Sequence, residues 1–282
     1  MSAPFPLYDA VRNNNVKRVA QILAQKDADP NKLDDGGWTL LRRAVIGGHE
    51  KVAALLIKAG ANVNEVENLG WTPLYGAAIK NDIKMVALLI NAGADVNKAC
   101  HIGWSPLSRA VLYRYEKVAE MLINAGANIN QADHAGWTPL HHAVTSHHKM
   151  ATLLINAGAD LNQADKHGRT PLFCAVDVDY AYSVVLLIDA GVDINQASKR
   201  GWTPIRQAAL RGRTDIVSLL RQGMRKQEHW RLVSLATLLR PLDLPVLVVY
   251  KIYSATPLYK ESMASRFDAW QVLTAIKQCD GI

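Results

Sequence analysis

The chain has 282 residues, 49% of them apolar and 20% charged, with a net charge of +7. That balance belongs to a folded, soluble protein and excludes a disordered one, and three scattered cysteines, Cys100, Cys174 and Cys279, do not make a disulfide framework. The charge is uneven: residues 199–240 carry +8 and the remainder −1, so an acidic-to-neutral start leads to a basic end.

The opening MSAPFPLYDAV has no basic segment followed by an apolar run, so no secretory signal is expected. Together with the odd cysteine count this places the protein, as an expectation, in the reducing cytoplasm. No transmembrane segment is expected either, because the most apolar late stretch, residues 244–253, is about ten residues long and too short to cross a bilayer as a helix.

From residue 37 onward one phrase recurs. GWTPLYGAAIK at residues 70–80 has altered copies beginning at Gly37, Gly103, Gly136, Gly168 and Gly201, at steps of 33, 33, 33, 32 and 33 residues, and a degenerate copy lies at residues 6–11. A fixed period of this size signals a stack of small units. Within one unit, Thr72 is placed to cap a helix and Pro73 suits its first turn, where no amide partner is needed. The pair Ala77 and Ala78, with small equivalents in every copy, keeps one side of that helix thin so that its neighbour approaches closely. A second helix follows, with Met85, Val86, Leu89 and Ile90 at helical spacing, and Gly93 ends it. A single unit cannot bury its apolar face alone, so neighbours must stack into a continuous core.

The seven copies resemble ankyrin repeats over residues 4–223. The fold expected is an all-α ankyrin-repeat solenoid of helix–turn–helix units with projecting β-turn fingers, plus C-terminal helices. Two copies depart from the pattern. The fifth lacks one residue near residues 146–148, which predicts a shortened turn between its helices. The sixth carries Arg169 in place of Trp and reads DVDYAYS, which predicts a local break in the surface.

Function must lie in side chains that architecture leaves free. The residues after the glycines, Trp38, Trp71, Trp104, Trp137, Arg169 and Trp202, form a row with one member per repeat. On the first helices, Gly76, Ile79 and Lys80, then Arg109, Leu112 and Tyr113, then His142, Thr145 and Ser146 share one face by helical spacing. Arg206 occupies the last repeat. The resemblance implies that this face and the finger tips line a concave groove where partners bind. Trp, Tyr and Arg carry most interface energy, so one reading makes the row a partner-binding stripe. In the other, each Trp covers its own turn and proline and serves stability. Both readings stand at this point.

Site chemistry is not expected. His141, His142, His147 and His148 have no i, i+4 pair of the kind that holds zinc, and the shortened turn falls between them. Phosphate loops, GxSxG elbows and kinase signatures are missing from the sequence, so no enzyme activity, cofactor or metal is assigned. The basic stretch 199–240 comes with no nucleic-acid motif, which favours an acidic partner protein over nucleic acid. A monomer is expected. The terminal Cys279-Asp280-Gly281-Ile282 has the length of a prenylation box but the wrong residues for one.

After Gly223 the pattern changes. Residues 226–239 read as one helix stopped by Pro241, Pro245 opens another, and residues 256–278 align with a repeat whose alanine pair has become Glu261 and Ser262. Residues 224–282 are read as a helical cap closing the stack. An alternative is that SLATLLR at 234–240 and LPVLVVYKIY at 244–253, loosely similar to a SOCS box and an F-box, make the protein a substrate receptor of a ubiquitin ligase. The resemblance also covers both eukaryotic scaffolds and adaptors and host-directed effectors of intracellular bacteria.

Overall fold

A computed structural model describes residues 6–34, 36–67 and 69–239, with side chains through residue 228. The tail helix expected from Pro245, the eroded repeat at 256–278 and most of the SOCS-box and F-box likenesses lie outside the described residues. Among the described residues the chain folds into helix pairs, and β structure is limited to one isolated bridge between Leu33 and Thr39. The pairs are α1 (Pro6–Arg12) with α2 (Val16–Leu23), α3 (Leu40–Gly47) with α4 (Glu50–Lys58), and α5 (Pro73–Ile79) with α6 (Ile83–Asn91). They continue with α7 (Pro106–Leu112) and α8 (Glu116–Asn124), α9 (Pro139–Val144) and α10 (His148–Asn156), and α11 (Pro171–Asp177) and α12 (Ala181–Asp189). The last pair is α13 (Pro204–Leu210) and α14 (Thr214–Leu239).

Helices of this length are marginal alone, so their ends and faces are closely managed. Thr72, Ser105, Thr138, Thr170 and Thr203 each cap a first helix by accepting the amide hydrogen three residues on, with proline in the first turn. Ala77, Ala78, Ala110, Val111, Ala143, Val144, Ala175 and Val176 are all buried where first helices stack, and Leu89, Leu122 and Leu154 are fully buried from the second helices. Each such leucine contributes about 1.5–3 kcal/mol of burial.

Asparagines staple one repeat to the next. The side-chain oxygens of Asn31, Asn64, Asn97, Asn130 and Asn162 accept the backbone N–H of Asn62, Asp95, Asn128, Asp160 and Asp193, each at 2.6–2.8 Å. Neighbouring fingers are also joined backbone to backbone: the amides of His101, His134, Lys166 and Lys199 donate to the carbonyls of Leu69, Ile102, Ala135 and His167.

The two irregular copies behave differently. In the fifth, the first helix is one residue shorter than α5, α7, α11 and α13. The positive-φ residue that joins every other described pair (Asn14, Gly48, Asn81, Arg114, Asp179, Gly212) has no counterpart between α9 and α10. The missing residue is thus the left-handed one, and the His147 amide bonds straight back to the Ala143 carbonyl at 2.7 Å. Among consecutive second helices from α2 to α12, α8 and α10 pack least closely. In the sixth, Arg169 takes the Trp position and pairs with Asp165 of its own finger, Nη2 to Oδ2 at 2.7 Å.

The chain divides into two compact units, 1–217 and 218–282; the sequence reading puts the boundary at Gly223. A separate tail helix from residue 226 is also expected from sequence, whereas α14 runs unbroken from Thr214 to Leu239. The alignment explains why. Gly223 falls one position before the left-handed slot that Gly93 fills in its repeat, and Met224 stands in that slot. A side chain with a Cβ resists positive φ, so the helix continues.

Candidate functional site

The row of tryptophans is built from the fingers upward. In three of the six fingers an aspartate stands three residues before the glycine, and Asp34, Asp133 and Asp165 each aim one carboxylate oxygen back at the turn. It accepts the amides of Gly36 and Trp38, of Ala135 and Trp137, and of His167 and Arg169, all at 2.8–3.0 Å. These bonds fix where Trp38, Trp137 and Arg169 leave the backbone. Burial pushes the Asp165 carboxyl up, but hydrogen bonds from the Arg169 backbone and guanidinium outweigh it and hold the group below the usual carboxylate range.

Side chains then interlock along the row. Trp38 lies between the guanidinium groups of Arg42 and Arg43, at 3.9 and 4.0 Å from its ring centre. Arg42 also ion-pairs with Glu67, and Arg43 with Asp34 at 2.5 Å. Trp71 leans on Tyr75 with ring centres 5.4 Å apart. The Tyr75 hydroxyl accepts a hydrogen bond from Arg109 Nε at 2.7 Å, and the same guanidinium sits 4.1 Å from the centre of Trp104. His142 is held between Trp104, at 4.8 Å, and Trp137, at 5.0 Å. Arg169 reaches Trp137 at 5.8 Å, and Arg206 reaches Trp202 at 5.7 Å. Each cation–ring contact is worth about 0.5–2 kcal/mol, more as water is excluded.

Trp71, Trp104, Trp137 and Trp202 are all half-buried, as are Arg109, Leu112 and Arg169, while Tyr113 and Arg206 are exposed. Each tryptophan is therefore packed on one side and open on the other. His142, placed by helical spacing on the open face, is only 7% exposed. It is a spacer between two rings, with Nε2 3.4 Å from Asp133 Oδ2. Helical spacing alone puts it outside; the two tryptophans arriving from neighbouring fingers cover it. The sequence reading also missed Arg42, Arg43 and Tyr75 as members of the row, and the three finger aspartates. Part of their signal is present, because the aspartates recur three residues before a finger glycine, Arg42 shares its offset with Arg206, and Arg43 shares its offset with Arg109.

The histidine cluster is divided among separate tasks. His141 is fully buried; its Nδ1 accepts the Thr138 amide at 3.1 Å and its Nε2 faces the Arg169 carbonyl at 3.1 Å. That pattern needs a neutral ring with the proton on Nε2. His147 Nε2 accepts from Arg114 Nε at 2.9 Å, and the His148 ring lies tilted against Tyr182 with ring centres 4.9 Å apart. Among the described residues no group of three or more potential ligands converges on a metal position. Burial pushes the Cys174 thiol up to about 12, so it stays protonated at neutral pH.

Burial holds the pKa of His141 and of His142 below the ordinary 6.5. The unfolded chain therefore takes up protons first as pH falls. Stability should be flat above neutrality and decline once pH passes down through 6.5. The slope is at most about 1.4 kcal/mol per pH unit for each proton involved. A melting temperature unchanged between about pH 7.5 and about pH 5.5 would rule this out.

A family model described as ankyrin repeats in three copies matches residues 59–133 and 126–198, and one described as ankyrin repeats in many copies matches residues 7–57 and 181–221. No curated protein sequence matches the chain. Among solved structures, the chain is similar to the ankyrin repeat domain of Bcl-3, titled a unique member of the IkappaB protein family. The match has 26% identity and a TM-score of 0.71, and covers 77% of this chain and 97% of that one. No described helix is long and apolar enough to cross a membrane. The family models cover nearly all of residues 7–221 and the helix pairs stack as theirs do, so the chain belongs to the ankyrin-repeat family, whose fold is a general protein–protein interaction module.

Proposed function

We propose that this protein is a non-enzymatic binding module that receives a partner protein on the face formed by its first helices and fingers. The observation that carries this reading is the interlocked row from Trp38 to Trp137: large aromatic and cationic groups, fixed by packing, each with one side open. Preorganised anchors of these types lose little freedom on binding. The fixed row also accommodates both sequence readings, because the side of each Trp that stabilises its own repeat is not the side that faces solvent.

Charge supports an acidic partner. Arg109 has no carboxylate partner among the described residues, and the later tips carry Lys166, Lys199 and Arg200, all exposed. The buried free thiols of Cys100 and Cys174 suit a reducing cytoplasm, where the protein acts as a monomeric scaffold or adaptor.

The test is quantitative capture of partners on the full chain. Trp104→Ala and Trp137→Ala should each lower retention about thirtyfold, the scale of a hot-spot residue near 2 kcal/mol, with the helical signal kept. Arg206→Glu, at an exposed position, should slow association and make it less salt-sensitive. If the same partners are retained equally by all three variants, this face is not the binding surface.

A further inference from the structure

Six residues after each finger glycine the first helix places a side chain beside the tryptophan row. Arg43 covers Trp38, Arg109 covers Trp104, and His142 fills the space between Trp104 and Trp137. In the sixth and seventh repeats the position is held by Cys174 and Gln207, both buried. In the third repeat it is Gly76. An open cavity of about 210 Å³ lies there, lined by Val45, Ile46, Ile79 and Trp71, with Arg42 and Lys80 also at its edge.

Nothing in the fold requires a glycine at this point. Gly76 lies within helix α5 and is not among the positive-φ glycines. A Cβ added to it would meet only Val45 Cγ1, at 3.7 Å, an ordinary contact. After proline, glycine is the least favourable residue for a helix interior. The helix thus gives up stability at the one position where any side chain would reduce the cavity.

The lining states what the cavity accepts. Val45 is buried and Ile46, Ile79 and Trp71 are half-buried, so the interior is apolar. A cavity of about 150 Å³ lined by similar side chains takes up benzene, so this one has room for a side chain of leucine or phenylalanine size. At the edge, Lys80 Nζ is bonded to the Ile46 carbonyl rather than to a carboxylate, whereas the charge of Arg42 is already met by Glu67. Arg109 adds a further cation one repeat along. Residues flanking the inserted side chain therefore meet positive charge.

We propose that the Gly76 cavity is a specificity pocket that receives one leucine- or phenylalanine-sized side chain from an extended, acidic segment of the partner protein. This rests on the reading of the Trp row as the binding face and names what that face selects.

The probe is a displayed library of random short peptides, selected on the full-length chain. Enriched peptides should carry a large apolar residue flanked by Asp or Glu. Synthetic copies should lose about tenfold or more in affinity when that residue is changed to Ala, and about as much on Gly76→Leu protein. Gly76→Ala should bind several-fold more weakly than the natural chain yet melt a few degrees higher, a combination that a merely destabilised variant does not produce. The proposal is overturned if no peptide of this composition is enriched, or if the selected peptides bind Gly76→Leu as tightly as the natural protein. In the latter case, loss of binding in Trp104→Ala and Trp137→Ala leaves the binding face standing and removes only the pocket. Binding that survives in those variants too removes both.

Discussion

Gly136→Ala should cost about 3 kcal/mol of folding stability, whereas Gly158→Ala, at nearly the same backbone angle, should cost about half as much. Both residues have positive φ, 85° and 88°. An alanine in that region pays roughly 1–2 kcal/mol at either position. The difference lies in what a Cβ meets. At Gly158 there is nothing within 4 Å, because the residue closes a second helix in the open. At Gly136 the new atom would stand 2.7 Å from the Lys166 amide nitrogen and 3.0 Å from Asp165 Cα. Backbone cannot rotate aside as a side chain does. The next finger would have to retreat and loosen the bond from the Lys166 amide to the Ala135 carbonyl, worth about 0.5–1.5 kcal/mol. Asp165, which holds Arg169 in the Trp row, would move with it. Denaturant titration of the two variants checks the contrast, and equal losses would mean that finger stacking contributes no constraint of its own.

Leu122→Ala should cost about 2–5 kcal/mol, the usual range for truncating a fully buried leucine. It should also change the form of unfolding. In a stacked array, stability is a sum of each repeat's own stability and its contacts with two neighbours. Leu122 lies in α8, on the fourth repeat's side of the joint where consecutive second helices already pack least closely. The fifth repeat lacks the left-handed residue before α10, so the staple from Asn130 to Asp160 and the contacts among α7, α9 and Trp104 carry more of the load at that joint. A cavity beside it should let the chain unfold in two steps. Amide hydrogen exchange should then show α9 to α12 and α3 to α6 losing protection at different denaturant concentrations. A single transition in which all of these amides exchange together would refute the idea of a weak joint.

The repeating unit is legible in the amino-acid order alone. The 33-residue period, the Thr or Ser and Pro that open each first helix, and the glycine that ends each second one are local signals. They act within one turn of helix, so they are legible without knowing what lies across the fold. The shortened fifth turn was legible for the same reason. Stacking decided the rest. His142 has the sequence spacing of an open-face residue, and it is buried only because tryptophans from two fingers, 38 and 5 residues away along the chain, close over it. Asn97 reads as a turn residue, and its partner Asn128 is one repeat distant. Gly76 reads as one more small residue in an alanine-rich helix, and it becomes a cavity only when Trp71, Val45 and Ile79 surround it. Even the end of the last repeat turned on a single place, where Met224 stands in a slot that needs left-handed backbone and α14 runs on. Local chemistry fixes which segments become helices, whereas burial and pairing depend on residues a full period apart, which only the stacked chain brings together.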